Sequence, residues 1–591
     1  MNRTVLIGGA SGFWGDSQIA VPQLLRQPGL QYLVFDYLAE TTMSILQRAR
    51  LRAPELGYAT DFVTAAVGPH LREIKARGVR LVSNAGGLNP AGCRDAILAL
   101  AREQGVDLKV AIVTGDDVLD LQPRFEPWGD EAGAQLPALM SANAYLGAAP
   151  VAQALAAGAD IVVTGRCVDS ASLLGIAIHE FGWGMTDYDR LAQASLAGHL
   201  VECGAQATGG LFTDWEQVPD WADIGYPLVR LQADGSFELS QPEGAGGLVT
   251  RQTVGEQLLY EIGDPAAYEL PDVVCDFTQV EITDLDGGRV RVQGARGRAP
   301  GGRYKVTATY QQGWHIAIMM AIRGQRALAK AQRTADALLA RTRRQMQAAG
   351  FADYEDTLVE LLGAESMYGP HRRVADSREI VLRIAARHRD RRALAFLQKE
   401  ASSAGTSMGP GTRSHFGGRS DVQSIIRTAS FLLPKAAAAV QVQVAPDEAP
   451  MAVEATDAAA APAAPNPPAA TATAAAATGP TVRIALGRIA HGRSGDKGDD
   501  ANIGLMARDP KWLPVLRGQL TAERVLQYFA HLVQGPVQRY ELPGLGAFNF
   551  VLRRALGGGG SCSLRSDPLG KCYAQMLLDM EIDCPEDLAP R

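Results

Sequence analysis

The chain has 591 residues, too many for one hydrophobic core, so two or more domains are expected. Its 47% apolar content and 63 glycines fit an α/β protein, and a formal charge of −7 with scattered Lys and Arg excludes a basic nucleic-acid footprint. Seven dispersed cysteines without a CxxC pair suggest neither a disulfide framework nor a thiolate zinc site.

The first part reads as strands alternating with helices. Thr4–Ile7 is a short apolar strand running into Gly8-Gly9-Ala10-Ser11-Gly12-Phe13-Trp14-Gly15-Asp16. That glycine loop superficially resembles a dinucleotide loop, and Asp36, ending the next strand Tyr32–Phe35, suits a ribose contact. Its spacing is GxxGxxG, however, with Phe13 and Trp14 where a helix should approach phosphate. A pocket lip presenting Ser11, Gly12 and Asp16 is the better reading. Glu40–Arg52, Asp61–Arg77 and Ala91–Gln104 have helical patterns.

Three more apolar strands follow, each ending in polar residues. Val79–Val82 leads to Asn84-Ala85-Gly86-Gly87-Leu88-Asn89-Pro90, where Asn89 suits a helix N-cap and Asn84 a pocket. Lys109–Val113 leads to Gly115-Asp116-Asp117, and Asp160–Val163 to Thr164-Gly165-Arg166 with Asp169. An acidic pair beside an arginine suits a metal, an anion or a structural ion pair. Alternating apolar strands and helices argue for a parallel sheet covered on both faces, with ligands outside the carboxyl ends of its strands.

His199 and Glu202 stand three apart on one helical face, a spacing for proton transfer or, with a third ligand, a metal. Glu243 opens another acidic glycine loop, Glu243–Gly247. From about 212 to 321 the texture becomes antiparallel α+β, with strands Val274–Val280, Arg289–Gln293 and Lys305–Tyr310. Ile316–Gln347 reads as a long Ala/Arg helix. The body is thus 1–445.

Residues 446–480 hold 16 alanines and 7 prolines in 35 positions, which reads as a flexible linker. A small α+β tail spans 481–588, read as strand 481–488, helices near 500–507, 521–532 and 571–579, and strands 536–541 and 547–554. Its signature is Arg493-Ser494-Gly495-Asp496-Lys497-Gly498-Asp499-Asp500-Ala501-Asn502-Ile503-Gly504. Glycines permit close approach, successive N–H groups can make an anion nest, and Lys497 offers a point charge. Asp496 and Asn502 are further ligand contacts on this reading. A structural charged hairpin is the competing one. His491, just upstream, is either a base or a packed histidine.

GGASGFWGDS, NAGGLNP, GADIVVTGR, GHLVECGAQATGG, EGAGGLVT and EQLLYEIGDPAAY together closely resemble the acyclic terpene utilisation (AtuA-type) family. HGRSGDKGDDANIG resembles the small ferredoxin-like domain that often accompanies it. The resemblance covers about 3–440 and 481–585. It implies catabolism of branched isoprenoids such as citronellol and geraniol through coenzyme A thioesters. The long linker departs from the family pattern and suggests loose docking of the tail.

The resulting expectation is a catabolic enzyme, a hydratase or lyase acting on a terpenoid or branched acyl-CoA. His199 and Glu202, with Asp116 or Asp117, would be its catalytic groups. Ser11, Gly12, Asp16, Asn84, Arg166, Glu243, Asp496, Lys497 and Asn502 would bind substrate. A non-catalytic acyl-CoA-binding accessory protein and an NAD-linked oxidoreductase are the alternatives. Apart from the thioester substrate, a divalent metal is the one candidate cofactor. A homo-oligomer is expected, with no nucleic-acid partner. No stretch approaches a membrane span and the first residues lack a leader core, so no membrane partner and a cytoplasmic location are expected.

Overall fold

The structure is a computed structural model that describes residues 3–128, 136–414, 418–454, 479–560 and 562–590. Most of the span read as a linker, residues 455–478, lies outside the described residues.

Five parallel strands form the centre of the body: β1 (Thr4–Gly9), β2 (Tyr32–Phe35), β3 (Arg80–Ser83), β4 (Val110–Thr114) and β5 (Ile161–Thr164), in the order β1-β2-β3-β5-β4. All four residues of β2 and of β5 are buried, as expected for strands covered on both faces. Alternate residues serve different cores. Val5, Ile7 and Val162 pack with helices Ala149–Ala156, Ala171–Phe181 and Tyr188–Val201; Leu6, Leu33 and Val163 pack with Ala20–Leu25, Leu71–Arg77 and Pro90–Gln104. Antiparallel strands extend this sheet beyond β1 and beyond β4, the last of them Met451–Ala452, inside the span read as linker.

A second sheet is built on β6 (Arg303–Arg323), a 21-residue strand that pairs with Glu379–His388 and Gln423–Pro434. The helix expected from Ile316 therefore begins only at Ala327. Ile316, Ile318, Met320 and Ile322 are buried at a period of two, and this alternation outweighs the helix propensity of the Ala/Arg run behind it.

The tail is a four-stranded antiparallel sheet: β7 (Ala490–Lys497), β8 (Asp500–Ala507), then Ala547–Leu552 and Val537–Leu542. The helix expected at 500–507 is the strand β8. Ala501, Ile503, Leu505 and Ala507 face the tail's own core, while Asn502, Gly504 and Met506 face the body. A helix could not sort these residues to two sides. The signature run is thus a hairpin.

Candidate functional site

The parallel strands deliver their polar ends to one edge of the sheet. Asp36 follows β2 and Asn84 follows β3. Asn84 donates from Nδ2 to Asp36 Oδ1 and accepts from Tyr37 N at 2.8 Å, so its role is to fix Asp36. Arg166, after β5, donates to the Leu38 carbonyl at 2.6 Å and to Asp169 at 3.1 Å, with its guanidinium 4.2 Å from the centre of the Tyr145 ring. Burial raises the Asp36 carboxyl well above the usual range; the charges of Asp169 and Glu202 add to this, while Arg166 and Asn84 oppose it. Asp36 thus has a raised proton affinity, the property a proton donor needs. This replaces the ribose contact expected of Asp36. The signal for it was a carboxylate at a parallel-strand end with a carboxamide at the next.

The helix Tyr188–Val201 brings the second half. His199 is buried at its last turn, with Nδ1 2.9 Å from Glu202 Oε1 and Nε2 3.2 Å from the Leu258 carbonyl. A carbonyl only accepts, so Nε2 carries hydrogen, and Nδ1 and Oε1 share a further proton. Glu202 Oε2 is buried without a hydrogen-bond partner, a state that a bound polar group would relieve. Burial raises the Glu202 pKa, with Asp169 and Glu261 adding and His199 opposing. Burial works against a charged His199, but the Glu202 charge and hydrogen bond prevail and raise it. Both ring nitrogens are occupied, so Glu202, and not His199, is the group available to a ligand.

The tail closes over this cluster. Lys571 donates to Glu261 at 2.7 Å, to Asp496 at 3.0 Å and to the Tyr260 hydroxyl. Lys497 is exposed, 5.7 Å from the centre of the Tyr268 ring, which itself lies 5.8 Å from that of His199. Asp36, Asp169, Glu261 and Lys571 thus join the site; Glu261 stands in the EQLLYEIGDPAAY run, which assigns it no role, and Lys571 in no motif.

Of the remaining expected residues, some brace this cluster and others lie apart from it. Asp117 is exposed, and its carboxylate accepts at 3.3 Å from the Leu119 backbone N–H. Asp116 is buried and accepts from Arg166 N at 2.8 Å and Asn143 Nδ2 at 2.9 Å; burial pushes it up to about 6. It is a strut for the Arg166 loop. Glu243 is exposed on its loop. Ser11 donates to the Asp36 carbonyl at 3.1 Å, and a Cβ on Gly12 would stand 2.7 Å from the Cys203 backbone. Asp16 accepts from Gly12 N and the Tyr226 hydroxyl. The N–H groups of Gly9, Ala10, Gly12, Gly15 and Asp16 are all taken by the protein, and the next helix begins only at Ala20. This loop binds itself rather than a pyrophosphate. Asn502 is fully buried between Leu259 and Glu261, a docking residue. His491 is packed on Phe212 and bonded to Asp214 at 3.0 Å.

Loose docking is also not what is found. Arg493 and Glu256, 3.1 Å apart, are both buried in the body–tail contact. Asn549 donates to Ile262 and Gly263 carbonyls, and a Cβ on Gly504 would lie 2.3 Å from Leu259 Cβ. Among the described residues no three His, Cys, Asp or Glu side chains gather closely enough to hold a metal ion. Among the described residues, too, no helix is long and apolar enough to cross a membrane. A cavity of about 360 Å³ opens elsewhere between body and tail, lined by Tyr368, His371, Arg373 and Tyr528 among others, but shares no residue with the Glu202 cluster.

No curated protein and no solved structure matches the chain. The sequence profile of the acyclic terpene utilisation family protein AtuA matches residues 5–444, and that of the AtuA ferredoxin-like domain matches 484–583. The polar carboxyl edge lies within the first span and the docking hairpin within the second, and the chain belongs to the acyclic terpene utilisation family, AtuA.

Proposed function

We propose that the protein is a lyase of the hydratase type that acts on a branched, terpenoid acyl-CoA. The observation that carries the reading is the buried His199–Glu202 pair, with one carboxylate oxygen left without a partner and a second carboxyl of raised proton affinity, Asp36, close enough to feel the Glu202 charge. Two carboxyl groups in one site, one acting as base and one as acid, are what such an elimination needs. Glu202 takes the proton next to the thioester carbonyl. Asp36 gives its proton to the departing hydroxyl, which leaves as water. In the reverse direction the two exchange roles. His199 holds Glu202 in place and stabilises its charge. Arg166 limits the charge that builds up when Asp36 is ionised. Lys497, exposed at the rim, suits a phosphate of the coenzyme A part.

The test is the purified full chain with geranyl-CoA or its carboxylated product. Turnover without other proteins is expected, falling at least about 10²-fold in Glu202→Gln. Binding without turnover would replace this reading with that of an accessory acyl-CoA-binding protein.

A further inference from the structure

One of the places where body and tail meet is a backbone turn, Leu258–Glu261, and three observations converge on it. Its first residue caps the acid–base pair: the Leu258 carbonyl receives His199 Nε2, and Gln257 donates to the His199 carbonyl at 3.3 Å. Its last residue, Glu261, has φ at 55°, a left-handed conformation that a residue with a Cβ adopts only when its surroundings impose it. The tail imposes it. Asn502 accepts from Glu261 N at 2.9 Å and donates to the Leu259 carbonyl at 2.7 Å, while Lys571 grips the Glu261 carboxylate at 2.7 Å. The ammonium of Lys571 is shared with Asp496, so one positive charge serves two carboxylates.

The groups facing Glu202 are His199 on its own helix, Asp36 and Asp169 from the strand ends, Cys203 beside it, and Glu261 and Tyr268 from the segment behind the turn. Of these, Glu261 alone is held by the tail through both its backbone and its side chain.

We propose that the turn Leu258–Glu261 couples the tail to the acid–base pair, with Glu261 and Lys571 as positioning residues: clamped by Asn502 and Lys571, the turn fixes His199 through the Leu258 carbonyl and sets the field at Glu202 through the Glu261 carboxylate. The tail is then part of the active site without touching the reacting atoms. Glu261 makes Glu202 hold its proton more tightly, and Lys571 moderates that effect. The proposal rests on the reading of Glu202 as the acid–base group.

The test is an infrared titration of the protonated carboxyl band of Glu202 in the substrate-free full chain, assigned by its loss in Glu202→Gln. In Glu261→Gln the midpoint is expected to fall by about one pH unit, a tenfold loss of proton affinity. In Lys571→Met it is expected to rise, because two carboxylates lose their shared cation. Glu261→Gln is isosteric, and its side chain is 30% exposed, so this variant keeps the fold and decides the matter alone. An unchanged midpoint there, or a shift of the same sign in both variants, overturns the proposal. Since no substrate is present, failure of the thioester reading leaves this result untouched.

Discussion

The hairpin of the tail and the carboxyl edge of the body both bury charge, in opposite ways. In the hairpin, Arg493 meets Glu256, and Asp500 meets Arg553. Asp499 accepts from the backbone N–H of Gly558. Each of these charges has its partner, although burial still raises the Glu256 and Asp499 carboxyls, and the result is a fixed contact. At the carboxyl edge, Asp36 and Asp169 lie about Arg166 and Glu261 is bound by Lys571, while burial and neighbouring negative charge raise the proton affinity of Asp36 and Glu202. Balanced burial makes structure; a buried carboxyl with one oxygen left unpartnered, as in Glu202, can take a proton from a ligand. This difference separates the two regions better than composition does, since both are rich in Gly and Asp.

The comparison breaks most visibly at the balanced pair. Removing one partner of a buried ion pair leaves the other charge stranded, so Arg493→Met should cost about 3–5 kcal/mol in chemical unfolding of the tail. A loss well under 1 kcal/mol would mean that Glu256 finds another partner and that the pair does not hold the contact. Gly504→Ala is next: with no room beside Leu259, it should weaken docking by about 1–3 kcal/mol, read as earlier proteolytic release of the tail.

Acid should act on the same contact. Burial, then the Arg508 charge, holds His491 down to about 4, while Asp214 opposes. The unfolded chain takes up a proton near 6.5 that the folded chain refuses. The stability from a neutral His491 is therefore full above about 6.5 and lost as the pH falls toward about 4. His491→Gln should flatten the acid limb of a melting-temperature profile; an unchanged limb would place the acid sensitivity elsewhere. The smallest effects belong to Asp117→Asn and Glu243→Gln, both at exposed positions, where stability should stay within about 0.5 kcal/mol and turnover should not change.

Much of the architecture was legible in the chain. Four-residue apolar runs ending in Asp, Asn, Gly or Arg give a parallel sheet with its polar ends on one edge, because strands covered on both faces read as short unbroken apolar segments bounded by turn residues. His199 and Glu202 were legible because helical spacing brings them together without tertiary information. Other features needed the fold. Asp116 and Asp117 are neighbours in sequence but point to opposite sides of a strand end, one inward and one to solvent, and only the register decides which. Glu261 and Lys571 are 310 residues apart and meet across a domain contact, which no local pattern encodes. The hairpin's two readings could not be separated in the sequence, because a glycine without room beside it is the same letter whether the neighbouring atom belongs to a ligand or to another domain; Gly504 faces Leu259.

The central claim is that Glu202 moves the proton. The most direct measurement is exchange of substrate hydrogen for deuterium in geranyl-CoA incubated with the full chain in D2O, followed by mass spectrometry. Exchange next to the thioester should occur with the wild-type chain and fall at least about 10²-fold in Glu202→Gln at unchanged fold. Undiminished exchange in Glu202→Gln would contradict the account.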